Sequence, residues 1–183
     1  MPTLLRRREA LGLGAAAGLA TLATPLSAWA SAAPVRRVSL KHLHTGETFD
    51  DVFFENGRYV PDALAEANRV LRDWRSGQTG FIDPKLFDAL HEIQSRLETR
   101  APYQIIGGYR SPKTNAMLRA RSSGVASNSQ HMHGKAVDVR IQGVELRNLQ
   151  KAALSLKAGG VGYYPNSNFV HVDTARVRQW TGS

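Results

Sequence analysis

The stretch SQHMHGKAVDV, residues 129–139, contains two histidines one residue apart, then a glycine, then an aspartate. If the first part is extended, His131 and His133 face the same side. Gly134 lets the backbone turn, so that Asp138, on a following strand, can approach the same point. Such a grouping is either a chance pairing or part of a metal site, and a metal site needs a further ligand from elsewhere in the chain.

The segment NFVHVD is a second source of ligands, because His171 and Asp173 lie two apart on a predicted strand and so share a face. The chain contains no cysteine, so metal ligands must come from His, Asp or Glu. His131, Asp138 and His171 together supply two imidazoles and one carboxylate. Three protein ligands and one open position are typical of a catalytic zinc site.

Hydrophobic periodicity and turn residues predict an α+β domain in which a small antiparallel sheet carries the zinc site and helices pack on one side. A β-hairpin is predicted around HTGE and ends at the turn pair Asn56-Gly57. Helices are predicted over residues 61–75, 82–99 and 144–158, strands over 102–109, 135–141, 160–164 and 168–174, and a turn that becomes a short helix over 111–121.

Local residues suggest how two of these helices are bounded. Asp83 precedes Pro84 and is expected to cap the helix that follows, and Gly159-Gly160 is expected to end the last helix. His42 and His44 are also two apart near a turn, but spacing alone is weak evidence for a metal ligand, so both are interpreted as structural residues.

The N-terminal 30 residues have the layout of an export signal. Three arginines, Arg6 to Arg8, precede a stretch without charge after Glu9, and small residues follow at Ala28 and Ala30. The adjacent arginines are typical of the twin-arginine type. A permanent transmembrane helix is disfavoured, because the apolar stretch is rich in Gly, Ala and Thr and contains Pro25.

The predicted organisation is therefore a signal peptide at 1–30, a short tether at 31–37 and one domain at 38–183, with a periplasmic mature protein. The chain of 183 residues carries a net charge of +9, and removing the signal leaves 21 basic and 14 acidic residues, a net +7. A basic exported protein is expected to meet an anionic cell-envelope polymer. A nucleic-acid partner is not expected, since aromatic and basic residues are not interleaved. No stable membrane span is expected after signal removal.

Four blocks carry a resemblance to a known superfamily. Residues 129–138 fit the pattern S-x-H-x-x-G-x-A-x-D of the zinc D-Ala-D-Ala metallopeptidases, a superfamily that includes the zinc-bearing hedgehog domain. GGYRSPKTN (107–115) resembles the family's Tyr-Arg segment, and residues 159–180 resemble its closing block. HTGE and LRDWR are similar to the YcbK-like branch of exported murein endopeptidases.

The resemblance implies one zinc ion per chain, with His131, Asp138 and His171 as its ligands. It also implies that Arg110 lies at the site, where an arginine polarises a substrate carbonyl and stabilises an oxyanion. Ser129 is implied to orient the ligand segment or to bind substrate. Tyr109 and Tyr164 are further candidates for substrate contact.

The sequence departs from the family at the general base. Dipeptidase members carry a Glu where this chain has Asn168, and endopeptidase members carry a His where it has Phe169. His133 and Asp173 are the remaining candidates for the base. Asp173 is alternatively a partner that orients an imidazole.

The function expected from these features is zinc-dependent hydrolysis of peptide cross-links in peptidoglycan, with stem peptides as substrates and metal-activated water as nucleophile. Two alternatives stay open. One is a D-Ala carboxypeptidase or dipeptidase of the same superfamily, which would share the ligands. The other is a zinc-containing, non-catalytic cell-wall binding module, in keeping with Asn168.

Overall fold

The computed structural model describes residues 34–122 and 124–182, so the predicted signal at 1–30 lies outside the described residues. The strands are β1 (Arg36–His42), β2 (Thr48–Glu55), β3 (Arg58–Tyr59), β4 (Tyr103–Gly107), β5 (Ala136–Ile141), β6 (Gly160–Tyr164), β7 (Phe169–Asp173) and β8 (Arg178–Thr181). The helices are α1 (Pro61–Val70), α2 (Pro84–Arg96), α3 (Pro112–Arg121) and α4 (Leu146–Leu156). None of the helices in this part of the chain is long and apolar enough to span a membrane.

The eight strands form one sheet in the order β3-β2-β1-β4-β5-β7-β6-β8. Pairing is antiparallel except between β1 and β4 and between β6 and β8. The predicted α+β class is confirmed, although the sheet has more strands than the sequence suggested. The central position of β5 and β7 brings residues from distant parts of the chain side by side.

Alternation along the strands separates an apolar face from a polar face. Val137 and Val139 of β5, with Val170 and Val172 of β7, point into a core shared with α1, α2 and α4. The residues between them therefore point to the opposite face of the sheet. Asp138, His171 and Asp173 lie on that face, so the same pleat that builds the core places the polar site.

Two local predictions are confirmed. The first hairpin joins β1 and β2 across HTGE, and Asn56-Gly57 makes the next turn with positive φ at both residues. Asp83 caps α2, since its side chain accepts a hydrogen bond of 3.0 Å from the backbone N–H of Lys85.

Helix α1 is shorter than predicted and ends at Val70 instead of continuing to Arg75. The carbonyl of Leu71 accepts a 2.7 Å hydrogen bond from the backbone N–H of Tyr109. A tertiary contact thus takes the backbone group that a longer helix would have used, and residues 71–80 run as an irregular segment beside the end of β4.

The segment around His131 and His133 is not extended, contrary to the expectation. Residues Gln130–His133 form a 3-10 turn, so the two side chains do not share a face. Gly134 follows with φ 61°, and a Cβ there would lie 1.8 Å from the carbonyl oxygen of Phe81. Glycine is therefore required both by the backbone conformation and by the close approach of the neighbouring chain.

Three further boundaries differ from the prediction. Helix α3 begins directly at Pro112, because Ser111 caps it by accepting from the backbone N–H of Thr114. Helix α4 ends at Leu156, and Lys157 follows in a left-handed conformation, before Gly159-Gly160. Strand β8 was not predicted, because Arg178 to Thr181 lacks apolar alternation.

Asp73 fastens the segment after α1 to the start of α3. One carboxylate oxygen accepts hydrogen bonds from the backbone N–H and the hydroxyl of Ser111, at 3.0 and 2.6 Å, and the other accepts from the backbone N–H of Arg75 at 3.1 Å. Burial by itself raises the pKa of Asp73, but the Ser111 hydrogen bonds outweigh it and hold the pKa well below its usual range.

Asp73→Asn is expected to lower the free energy of unfolding by about 2 kcal/mol at pH 7, in the range for hydrogen bonds to a charged group. Because the folded-state pKa lies below the unfolded value of 3.8, the ionised group stabilises the fold fully above that value and loses its contribution as the pH falls. The difference in unfolding free energy between the variant and the native protein should therefore become smaller as the pH falls from about 4 to about 2. Urea titrations across this range measure it, and exposed Asp51→Asn is the control. A difference in unfolding free energy that stays constant with pH would contradict the role of ionised Asp73 as a hydrogen-bond acceptor.

Candidate metal centre

His131, Asp138 and His171 meet on the polar face of the sheet, as the sequence predicted. All three are buried, and one ligating atom from each lies within 4.8 Å of the others. The Nε2 atom of His131 lies 3.2 Å from Nδ1 of His171 and 3.3 Å from Oδ2 of Asp138. The Nδ1 atom of His171 lies 2.9 Å from Oδ1 of Asp138.

These spacings fit a small tetrahedral cation. Zinc bonds of about 2.0–2.1 Å in tetrahedral geometry place neighbouring ligand atoms about 3.3 Å apart. The three separations in the structure, 2.9, 3.2 and 3.3 Å, are close to that value. Two imidazoles and one carboxylate also leave one of four positions open. The residues present therefore fit a metal ion without rearrangement of the backbone.

His131 is oriented by the turn that carries it. Its Nδ1 lies 2.7 Å from the carbonyl oxygen of Gly108 and donates to it, which leaves the lone pair of Nε2 directed at the site. The carbonyl of His131 accepts from the backbone N–H of Arg110 at 3.1 Å. The 3-10 turn and the end of β4 are thus joined through both the ring and the backbone of one histidine.

His171 is supported from behind by Asp173. The Nε2 atom of His171 lies 3.1 Å from Oδ2 of Asp173, so Nε2 donates and Nδ1 faces the site. Arg178 of β8 donates to both oxygens of the same carboxylate, at 3.1 and 2.6 Å. A bidentate arginine fixes the plane of Asp173, and Asp173 in turn fixes the ring of His171.

The pKa values of Asp138 and His171 reflect how closely the carboxylates and imidazoles pack. Burial by itself raises the pKa of Asp138, but His131 and His171 outweigh it and hold the pKa well below its usual range. Burial lowers the pKa of His171, but hydrogen bonds to Asp138 and Asp173 raise it to about 9. A metal ion bound at Nδ1 of His171 would therefore have to displace a proton that Asp138 holds there.

Arg110, the third residue after the end of β4, points into the site. Its guanidinium lies 4.0 Å from Oδ2 of Asp138 and donates to Oδ1 of Asn115 at 3.4 Å. Asn115 is itself buried and donates to the carbonyl of Ala126 at 3.1 Å. Asn115 therefore ties the arginine to the loop after α3. No local pattern around Asn115 indicates this role.

A cleft of about 700 Å³ opens above the three residues. It is lined by His131, Asp138, His171, Arg110, Ser129, Tyr164, Phe169, Arg178, Trp180 and the loop after α3. The ring of Tyr164 stacks on Phe169, and its hydroxyl accepts from Nε1 of Trp180 at 2.9 Å. Two of the predicted substrate contacts, Ser129 and Tyr164, thus lie in the cleft.

Strand β8 is the part of the site that sequence reasoning missed. Its polar-face residues, Arg178 and Trp180, lie over β6, and a Cβ on Gly162 would be 2.6 Å from the indole of Trp180. The glycines of GGVGYY therefore make room for β8 side chains beside His171. The alternation of glycine with Val161 and Tyr163 was a signal that could have indicated a close neighbour.

Other predicted site residues lie elsewhere. His133 is exposed, its Nε2 is 2.6 Å from Oδ1 of Asn128, and it does not line the cleft. Asn168 is exposed in the turn between β6 and β7 with φ 52°, a conformation that Asn tolerates. Tyr109 lines a separate, smaller pocket on the other side of Asp138.

His42 and His44 do not join the three candidate ligands. His42 is buried at the end of β1 on the core face, and burial lowers its pKa to about 4. Its Nδ1 accepts from the backbone N–H groups of His44 and Thr45. His44 stacks on Trp74 with 4.1 Å between ring centroids. The positions of His42 and His44 agree with the interpretation that both lie outside the metal site.

Comparison with known proteins identifies the family to which this chain belongs. A family model described as Peptidoglycan L,D-endopeptidase MepK matches residues 30–180. The peptidoglycan L,D-endopeptidase MepK of Escherichia coli strain K12 is 50% identical over 175 residues, which cover 95% of this chain and 96% of the relative. A probable peptidoglycan L,D-endopeptidase MepK of Haemophilus influenzae is 43% identical over 178 residues, 96% of each chain. The murein-endopeptidase resemblance carried by the motifs is confirmed, and the chain belongs to the MepK family of peptidoglycan L,D-endopeptidases.

Proposed function

We propose that this protein is a zinc-dependent endopeptidase that hydrolyses an L,D bond within the peptide cross-links of peptidoglycan. Family membership supports the reaction class and the substrate. The observation that carries the metal assignment is the group of three buried side chains lining an open cleft, in which the two imidazole nitrogens lie 3.2 Å apart and each lies 2.9 or 3.3 Å from one oxygen of Asp138. Nε2 of His131, the carboxylate of Asp138 and Nδ1 of His171 are the proposed ligands.

The metal ion and the side chains of the protein are proposed to contribute different parts of the chemistry. A bound zinc ion supplies Lewis acidity and lowers the pKa of a water molecule to near neutrality. Arg110 contributes a guanidinium beside Asp138, where it can donate to the oxygen of the scissile carbonyl as negative charge develops there. Ser129 and Tyr164 line the cleft and are proposed to contact the peptide on either side of that carbonyl.

Asp173 is proposed to position His171 rather than to accept a proton. Both of its oxygens are occupied by His171, Arg178 and the backbone N–H groups of Gly160 and Ala175. Burial by itself raises its pKa, but the His171 and Arg178 contacts keep the pKa well below its usual range. A carboxylate so placed is a poor base near neutral pH. The exposed position of His133 gives no support to its role as the base.

Digestion of purified muropeptide dimers tests the proposal. Monomers that appear only when zinc is present support an endopeptidase, and mass spectrometry of the new ends identifies the bond. Release of a single terminal D-alanine would instead assign a carboxypeptidase. No product from any muropeptide, with zinc fully bound, would assign a non-catalytic cell-wall binding module.

Arg178→Ala is expected to weaken zinc binding by about tenfold or more, the scale seen when a group that orients a metal ligand is lost. Without the bidentate contact, buried Asp173 keeps its charge but loses its fixed plane. Competition with a chromophoric chelator measures the affinity. Arg176→Ala, an exposed neighbour, is the matched control and should bind zinc like the native protein. Equal affinities for both variants would refute the positioning role.

Export to the periplasm is proposed for the mature protein, because its substrate class lies there and the family match begins at residue 30. If the twin-arginine route is used, replacing Arg7 and Arg8 with Lys should retain the precursor in the cytoplasm. Fractionation followed by immunoblotting measures the distribution. Normal export of the double variant would rule out that route, and cleavage of residues 1–30 can be checked by N-terminal sequencing.

A further inference from the structure

A second pocket adjoins the metal site on the side of β4. It has a volume of about 220 Å³, and its lining includes His44, Asp73, Trp74, Arg75, Tyr109 and Leu118. It shares Arg110, Asp138 and Phe169 with the larger cleft. Asp138, one of the candidate metal ligands, therefore lines both pockets, and a peptide that passes over it would reach from one pocket into the other.

The wall of this pocket is fixed firmly to the site. The backbone N–H of Tyr109 donates to Leu71, and Ser111 donates twice to Asp73. These bonds hold the segment that carries Trp74 and Arg75 beside the Tyr-Arg pair. Hydrogen bonds from the Tyr-Arg segment and the backbone N–H of Arg75 thus hold the main chain at the base of the Arg75 side chain.

Arg75 is a cation without a carboxylate partner. Arg36, Arg72 and Arg178 each make an ion pair of 2.6 Å, whereas Arg75 makes none with any residue in 34–122 or 124–182. Its guanidinium instead stacks over the ring of Trp74, at 4.1 Å from the centroid. An arginine stacked on an aromatic ring keeps its in-plane N–H donors free for a planar acceptor.

The other charges around the pocket favour an anionic ligand. Asp73 is occupied by Ser111 and the backbone N–H of Arg75, and Asp138 contacts His131 and His171. Burial, followed by the nearby charge of Arg110, lowers the pKa of Arg75. Two guanidinium groups thus converge on a pocket whose carboxylates are already engaged. Carboxylate is the acceptor in a peptide substrate that matches the fork of an arginine.

We propose that Arg75, stacked on Trp74 and adjacent to Arg110, binds a free carboxylate of the substrate on the β4 side of the metal centre. This assignment rests on the proposed peptidase function, because it is the peptide substrate that brings a carboxylate to this pocket. It makes Arg75 a specificity residue: cross-linked peptides that carry the free acid are bound better than those in which that acid is an amide.

The test compares cross-linked peptides in which the free carboxylates are converted one at a time to primary amides. For one position, the native protein should cleave the acid about tenfold or more faster than the amide in kcat/KM, the scale of a hydrogen bond to a charged group. Arg75→Gln should lose this preference through a higher KM for the acid, with unchanged zinc content. Arg69→Gln, on the exposed side of α1, is the matched control and should keep the preference.

Two results would overturn the subsite. One is an equal rate on acid and amide by the native protein at every position, and the other is a full acid preference in Arg75→Gln. If the native protein with zinc bound cleaves none of the peptides, the proposed function has failed rather than the subsite. Calorimetry then decides the subsite independently: the acid should bind about tenfold more tightly than the amide to the native protein, and equally weakly to Arg75→Gln.

Discussion

His131→Ala, Asp138→Ala and His171→Ala are each expected to lose zinc and to reduce turnover to background. Each removes one of the three proposed protein ligands, and the two that remain cannot hold a tetrahedral ion with one open position. The loss of affinity should exceed the roughly 10–100-fold effect of changing a group behind a ligand. Zinc content by mass spectrometry and muropeptide cleavage are measured on the same samples.

Controls must separate ligand loss from misfolding. Asp138→Asn keeps the shape of a buried side chain, and circular dichroism and thermal melting report whether each variant is folded. His91→Ala changes a histidine of α2 that lies on the other side of the core, and it should retain both zinc and turnover. Retention of one zinc per chain by His171→Ala would show that the ligand assignment is wrong.

Arg110→Lys is expected to keep zinc bound while turnover falls by about a hundredfold or more, the scale for loss of an oxyanion donor. Lysine keeps the charge but loses the planar fork that now reaches both Asn115 and the edge of Asp138. Because the carbonyl oxygen gains charge only as the reaction proceeds, the effect should appear mainly in kcat rather than in KM.

Arg119→Lys is the matched control for this variant, since Arg119 lies on the exposed surface of α3. It should cleave muropeptides at the native rate. Unchanged turnover in Arg110→Lys would place this arginine outside the chemistry. A large rise in KM with little change in kcat would assign it to substrate binding instead.

The placement of Asp138, His171 and Asp173 on one face of the sheet could be predicted because their spacing reflects strand alternation. His171 and Asp173 lie two apart on β7, and Asp138 lies opposite His171 in the register of β5. Any sequence that buries Val137, Val139, Val170 and Val172 on one face must present these polar residues on the other. The helix α2 and its Asp83 cap were predictable for a similar reason, since both depend on neighbours in sequence.

The structural features that were not predicted depend on tertiary contacts. His131 and His133 have strand-like spacing, but the segment coils into a 3-10 turn because Gly134 packs against Phe81. Helix α1 stops where Leu71 pairs with Tyr109. The contact between Arg178 and Asp173 requires strand β8 to lie beside β6, and no local pattern specifies that pairing.

The central claim is that hydrolysis depends on an ion held by His131, Asp138 and His171. The most direct measurement strips the purified protein with a chelator, returns zinc stepwise, and follows bound metal and cleavage of a muropeptide dimer in parallel. Bound metal and cleavage are expected to rise together and to reach their maximum at one zinc per chain. Full cleavage by the metal-free protein, or saturation with zinc at these residues without any cleavage, would contradict it.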